Sequence, residues 1–342
     1  MSILRGPHYQ RRRSFLGGLT ALGLSACSPA RTDLRVRVGV EMFDGALKDS
    51  FERDSNLRVE MSLVESPAQL AERLLGTDRV DVSLLGDAWL TETYTSKLAR
   101  VETSRLRNWE QLGQQWKQVT PYGVPFRWGV SEIAYYPKHV TPAITDWADL
   151  WRESLRGRIT LPDDRREVFG IALKRLGYSY NSPDPRHHRE AFTLLQKLQP
   201  LVLTYTSDSY LDILIVEDSW VAVGWSADLA QAQREDPGIQ RVVPRGTSLW
   251  ADLWVLPADG GRQVAAYRWI DHFLAPVNAA QVALQLSSRT PVPASEQLVP
   301  GLTEDPLLYP PASVLEHSEL IRPLPGPVER LQADLWQTLR QG

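Results

Sequence analysis

Leu34-Arg-Val-Arg-Val-Gly-Val40 alternates apolar and polar positions with a period of two, as a strand with one buried face does. Ala46 to Asp54 reads as a helix, and Leu57-Arg-Val-Glu-Met-Ser-Leu-Val64 alternates again. Pro67 opens a helix that runs to Leu75. Val80 to Leu85 is an apolar run of buried-strand length, and Trp89 to Leu98 reads as helical. Strands alternating with helices predict parallel strands joined by crossover helices. From Tyr122 to Tyr136 the pattern becomes one long extended stretch, suited to carrying the chain from one lobe to another. A second alternating set follows: strand 158–161, helices 166–176 and 185–199, strands 201–205 and 220–225, and helix 227–234. Ser248 to Pro257 is again extended, two helices cover 262–286, and a Pro-rich tail ends in a helix over 328–340. The pattern predicts two α/β lobes joined by more than one extended crossing, the plan of a hinged cleft. Lobe 1 is expected to comprise 34–124 with about 251–290, and lobe 2 to comprise 125–250 with about 291–342.

The first 26 residues follow a different rule. Arg11-Arg12-Arg13 leads into a twelve-residue apolar stretch, Phe15 to Ala26, too short to span a bilayer as a stable helix. This is the form of a signal peptide. Arg12-Arg13-Ser14-Phe15-Leu16 resembles the R-R-x-F-L core of twin-arginine signals, and Leu24-Ser25-Ala26-Cys27 resembles a lipoprotein box. Cys27 is the only cysteine, so a lipid thioether there leaves no thiol and no disulfide. Residues 27–33 are expected to be a lipidated tether, with the lipid as the only membrane attachment.

Composition narrows the choice of ligand. With 38 Lys and Arg against 41 Asp and Glu the net charge is −3, but four arginines fall in the first 26 residues, where no acid stands. The remaining body is 34 against 41, or −7, and has no basic block. Nucleic-acid binding through a broad basic face is therefore not expected, whereas a cationic ligand is tolerated. Tryptophan is over-represented, with 12 Trp against 11 Tyr and 7 Phe.

The common enzyme motifs G-x-S-x-G, G-x-x-x-x-G-K-[ST], G-x-G-x-x-G and H-E-x-x-H are absent, and no catalytic residue, cofactor or metal is expected. His187-His188 reads as part of a solvated first helical turn after Pro185, and Tyr135-Tyr136 as one ring in and one out of an alternating strand. Trp250, Asp252 and Trp254 stand at i, i+2 and i+4 of an extended segment and so share a face. A carboxylate flanked by indoles suits an amine, because an ammonium gains roughly 0.5 to 2 kcal/mol over an aromatic face. The competing reading is a strand with Trp in the core and Asp on solvent. Asp164 and Glu167 share a face at a helix start, where D-x-x-E also serves as a capping box.

Val124-Pro-Phe-Arg-Trp-Gly129, Trp147-Ala-Asp-Leu-Trp151, Leu161-Pro-Asp-Asp-Arg-Arg-Glu-Val-Phe169, Ala172-Leu-Lys-Arg-Leu-Gly-Tyr-Ser179 and Trp250-Ala-Asp252 together resemble the periplasmic spermidine/putrescine-binding proteins of ABC importers. The likeness is strong from about Gly123 to Val282. It implies a two-lobed, type II periplasmic binding protein that acts as a monomer and delivers a small cationic amine to a membrane permease. It also implies that Asp164 and Glu167 hold a terminal ammonium, Asp252 holds another amine, and Trp225 and Trp250 flank the methylene chain. The first lobe departs from the family. Gly39-Val-Glu-Met42 stands where the family has W-x-x-Y and Gly86-Asp-Ala88 where it has S-x-Y, while Ser288 and Ile321 replace a tyrosine and a glutamine. Glu41 and Trp89 are the candidate substitutes. A binder of another solute, a secreted hydrolase and a sensory scaffold stand as rival readings.

Overall fold

In the computed structural model, residues 32–39, 43–64 and 67–341 are described; the signal segment, Cys27 and Glu41 lie outside them. Ten strands form one mixed sheet: β1 Leu34–Gly39, β2 Val59–Val64, β3 Val82–Gly86, β4 Gly123–Tyr135, β5 Ile159–Leu161, β6 Val202–Tyr205, β7 Val221–Trp225, β8 Gln240–Val242, β9 Ser248–Val255 and β10 Glu319–Leu320. The order is β2-β1-β3-β9-β4-β7-β5-β6, with β10 on β9 and β8 on β4. β1 pairs in parallel with β2 and β3, and β5 in parallel with β6 and β7, so each half has the expected crossover plan. β9 runs antiparallel to β3 and β4, and β4 antiparallel to β7.

β4 links the halves. Its residues 123–130 pair with β9, and its residues 131–135 pair with β7. Every one of its residues is buried, and its two charges, Arg127 and Glu132, are each ion-paired, with Asp252 and Arg241. Pro125 is tolerated because the register shifts between Pro125 and Arg127, where the ladder is interrupted. Gly129 is required by close approach: a Cβ there would lie 2.4 Å from the Trp250 ring and from Ser226 Oγ.

Two principal cores flank this strand. The first joins β1, β3, β9 and the helices Gln263–Leu274 and Pro276–Leu286 around Phe43, Phe126, Trp254, Trp269 and Phe273. The second gathers Trp147, Leu161, Phe169, Leu195, Val221 and Val223 between the helices Arg165–Arg175 and Pro185–Leu198. The tail that follows, expected with the second lobe from about 291 to 342, packs in two places. Val299, Leu315 and Leu320 join first-lobe residues, whereas Leu335, Trp336 and Leu339 of the closing helix Gly326–Gln341 join the second core.

Local expectations change where tertiary contacts intervene. The helix expected over 89–98 is reduced to one turn, Glu92–Thr95, because Thr91 is extended at φ −76° and ψ 168°. A helix Tyr210–Ile215 and the short strands β8 and β10 were not signalled by periodicity. Tyr135 and Tyr136 are both buried, one in each of two clusters, because the second half of β4 is covered on both faces. His188 is fully buried rather than solvated. Its Nε2 lies 2.8 Å from the Ser182 carbonyl and its Nδ1 3.2 Å from Gln332 Nε2, so a neutral ring is satisfied at both nitrogens. His187 stacks on Tyr178 with centroids 3.6 Å apart.

Candidate functional site

Parallel strands leave a crevice at their carboxyl ends, where turns into helices expose backbone N–H groups and short polar side chains. The turns after β3 and β5 meet here. Asp87, Ala88, Trp89, Thr91 and Tyr94 from the first, and Asp163 to Arg166 from the second, line a cavity of about 250 Å³. Ile321, Arg322 and Pro323, from the segment after β10, form its third wall. A side recess of about 70 Å³ continues past Asp87 to Leu90, Val119 and Thr120. The volume lies just below the usual range for ligand sites, about 300–1,000 Å³.

Each carboxylate of this region has a different circumstance. Asp164 caps the helix Arg165–Arg175, its Oδ1 accepting from the N–H groups of Arg166 (2.8 Å) and Glu167 (3.1 Å). The expected capping box is only half formed, because Glu167 turns away from the cap. Glu167 is buried and lies 2.7 Å from Ser248 Oγ through Oε2, and Tyr180 donates to its Oε1 at 3.4 Å. Burial pushes its carboxyl up to about 7, the nearby Asp164 charge adds to the rise, and the Ser248, Ser131 and Tyr180 hydroxyls offset part of it. Ser248 Oγ is also 2.7 Å from Ser131 Oγ, so Glu167 ties the helix start to β4 and β9 where the lobes meet. Asp163 is paired with Arg340, and Glu329 with Arg165.

Asp252 is not a free carboxylate. It is 6% exposed and accepts from Arg127 Nε at 2.7 Å, and the Arg127 guanidinium carbon also lies 5.6 Å from the centre of the Trp250 ring. Trp254, expected on the same face as Trp250 and Asp252, is instead 1% exposed inside the first core, 4.7 Å from Phe126 and 5.6 Å from Trp269 between ring centroids. The pattern of alternation was followed, but aromatic packing took that residue. Trp225 and Trp250 are half-buried on strands that flank β4, opposite Ser131 and Gly129 respectively, and do not line the cavity. Trp89 does line it, edge-on to Tyr94 with centroids 5.7 Å apart. Ile321 lines it as well, while Ser288 is buried.

Asp87, in Gly86-Asp-Ala88 where the family has S-x-Y, carries no signal of a site in its spacing. It is 8% exposed, and its Oδ2 has no hydrogen-bond partner. Burial raises its carboxyl well above the usual range, and the charges of Asp252 and Asp164 add to this; the N–H groups of Ala251 and Ala88 offset part of the rise. Arg127 is a further participant that the spacing of motifs does not single out. Its signal is its charge within a buried strand, which requires a partner, as does Glu132 further along the same strand, paired with Arg241. Among the described residues, no group of three His, Cys, Asp or Glu is placed to hold a metal ion.

A cavity at strand carboxyl ends, walled by turns from two α/β halves that share long strands, is the geometry of a protein that closes on a solute. The model of the family "Bacterial extracellular solute-binding protein" matches residues 46–310. The chain belongs to that family. It is 27% identical to the spermidine/putrescine-binding periplasmic protein of Escherichia coli (strain K12), over 97% of this chain and 98% of that one. It is 29% identical to a putrescine/cadaverine-binding protein of Pseudomonas aeruginosa, over 71% and 74% of the two chains. Among solved structures, a spermidine/putrescine ABC transporter substrate-binding protein from Streptococcus pneumoniae superposes with a TM-score of 0.80 at 26% identity, covering 91% of this chain and 99% of that one. The fold is thus the two-lobed periplasmic binding protein. The relatives are solute-binding transport proteins of the periplasm or cell exterior, not enzymes.

Proposed function

We propose that this family member is the solute-binding subunit of an ABC importer, taking a cationic amine of the polyamine class into the interlobe cavity and passing it to a membrane permease. The observation that carries this reading is the pair Asp87 and Asp164, presented from opposite lobes with Trp89 and Tyr94 beside them. Carboxylates in a partly dry cavity favour an ammonium, and aromatic faces suit a methylene chain or a cation. The names of the relatives point to the same chemistry. The signal-like segment supports export by the twin-arginine route, and Cys27 supports lipid anchoring of a monomeric periplasmic domain. Glu41 follows β1 by two residues in the sequence and joins the proposed ligand-binding set with Asp164, Glu167 and Trp89.

The test is calorimetric titration of the chain from residue 32 onward with putrescine, cadaverine, spermidine, arginine and a neutral sugar. A micromolar amine site corresponds to about 8 kcal/mol of binding free energy. Asp164→Asn is expected to weaken it at least tenfold. Silence toward every amine, or sugar binding in their place, would refute the reading.

A further inference from the structure

The charges around the cavity do not leave the site that Asp252 and Trp250 were expected to provide. Asp163 is held by Arg340, Glu329 by Arg165 and Asp252 by Arg127. Arg127 supplies what a ligand ammonium would supply to that corner: a cation 2.7 Å from the Asp252 carboxylate and 5.6 Å from the Trp250 ring centre. Both charged side chains are 9% exposed, so the pair is shielded from solvent. Breaking such a pair strands a buried charge, which makes displacement of Arg127 by a mobile amine unfavourable.

Asp87 is in the opposite condition. It is more than nine-tenths buried, it lines both the cavity and its recess, and Oδ2 has no partner. Among the described residues no lysine or arginine is ion-paired to it. Gly86 is opposite Asp252 in the β3–β9 ladder, so Asp87 begins one residue beyond the occupied corner. A buried carboxylate of this kind is left for an incoming cation to satisfy.

We propose that Arg127 is a tethered cation that closes the Asp252–Trp250 subsite, and that Asp87 replaces Asp252 as the first-lobe acid that receives the ligand. This rests on the amine reading above and narrows it. With Asp252 occupied, the cleft offers one cation subsite from each lobe, at Asp87 and at Asp164 with Glu167 behind it. The ligand class is a short alkyl diamine, and a triamine lacks the counter-charge for its additional ammonium.

The experiment compares putrescine with spermidine by calorimetry at pH 8 in five proteins: wild type, Asp87→Asn, Asp164→Asn, Arg127→Met and the double variant R127M/D252N. Wild type is expected to bind putrescine at least tenfold more tightly than spermidine. Asp87→Asn is expected to lose at least tenfold for putrescine and to melt higher than wild type without ligand, because an unpaired buried charge is removed. Arg127→Met is expected to shift preference toward spermidine at least tenfold, and R127M/D252N, in which the freed carboxylate is gone, to show no such shift. The double variant also carries no stranded charge, so it reports if Arg127→Met fails through misfolding. Amine binding weakened by Asp164→Asn but unchanged within twofold in Asp87→Asn would overturn the inference while leaving the amine reading standing. A spermidine preference in wild type, or a shift in the double variant equal to that in Arg127→Met, would overturn it too. No amine binding by wild type would overturn both.

Discussion

Glu167→Gln separates the electrostatic cost of the cleft floor from its hydrogen bonding. Glu167 is buried, and the side chains that hydrogen-bond its carboxylate carry uncharged hydroxyls, those of Ser248 and Tyr180 with Ser131 beside them. Its carboxyl rises from the ordinary 4.5 to about 7 on folding. Because the folded value is the higher one, the native state binds more protons than the unfolded chain between these limits. Stability from this group therefore falls as pH rises from 4.5 to 7 and is flat above. At 1.36 kcal/mol per pH unit the full loss is about 3 kcal/mol. Glutamine is the neutral isostere. At pH 5 the variant and wild type should be about equally stable, apart from about 1 kcal/mol if the amide meets the two hydroxyls less well. At pH 8 the variant should be more stable by about 2 to 3 kcal/mol. Urea denaturation at both pH values, without ligand, reads this difference directly. Asp87 and Glu132 are shifted in the same direction, but they are present in both proteins and largely cancel in the comparison. A stability difference that does not change between pH 5 and pH 8, or a wild type that gains on the variant as pH rises, would refute the argument that folding raises the Glu167 carboxyl.

Two further substitutions test the assignments of core and cleft. Trp254→Ala removes the centre of a cluster with Phe43, Phe126, Trp269 and Phe273, and should cost about 3–5 kcal/mol in chemical denaturation while leaving amine affinity within about twofold. A tenfold loss of affinity with intact stability would return that indole to the ligand. Gly170→Ala places a Cβ 1.8 Å from the Tyr180 ring, and should destabilise by about 1–3 kcal/mol and disturb the Tyr180–Glu167 contact, read as lowered melting temperature with weakened amine binding. An alanine variant with unchanged melting would mean that Tyr180 has room to move.

Most elements and their order of strand and helix are legible along the chain, because periods of two and 3.6 are local consequences of which residues must be covered; the short helix Tyr210–Ile215 and the strands β8 and β10 are not. The helix expected from Pro67 to Leu75 has those bounds, and the extended stretch over 122–136 becomes β4 within a residue at either end. The sequence also marks Asp164 and Trp89, which stand in turns after strands and line the cavity. Spacing could not say what a side chain meets across the sheet. Alternation put Trp250, Asp252 and Trp254 on one face, yet Trp254 went to an aromatic core, and Asp252 met an arginine 125 residues earlier because β4 lies beside β9. The same holds for the unclaimed carboxylate of Asp87, whose loop reads as a deletion of family features until the fold brings it beside Asp252. Backbone periodicity is set by neighbours along the chain, whereas the ionisation and availability of a carboxylate are set by whatever charge and solvent lie within a few ångströms of it, and only the tertiary structure decides that.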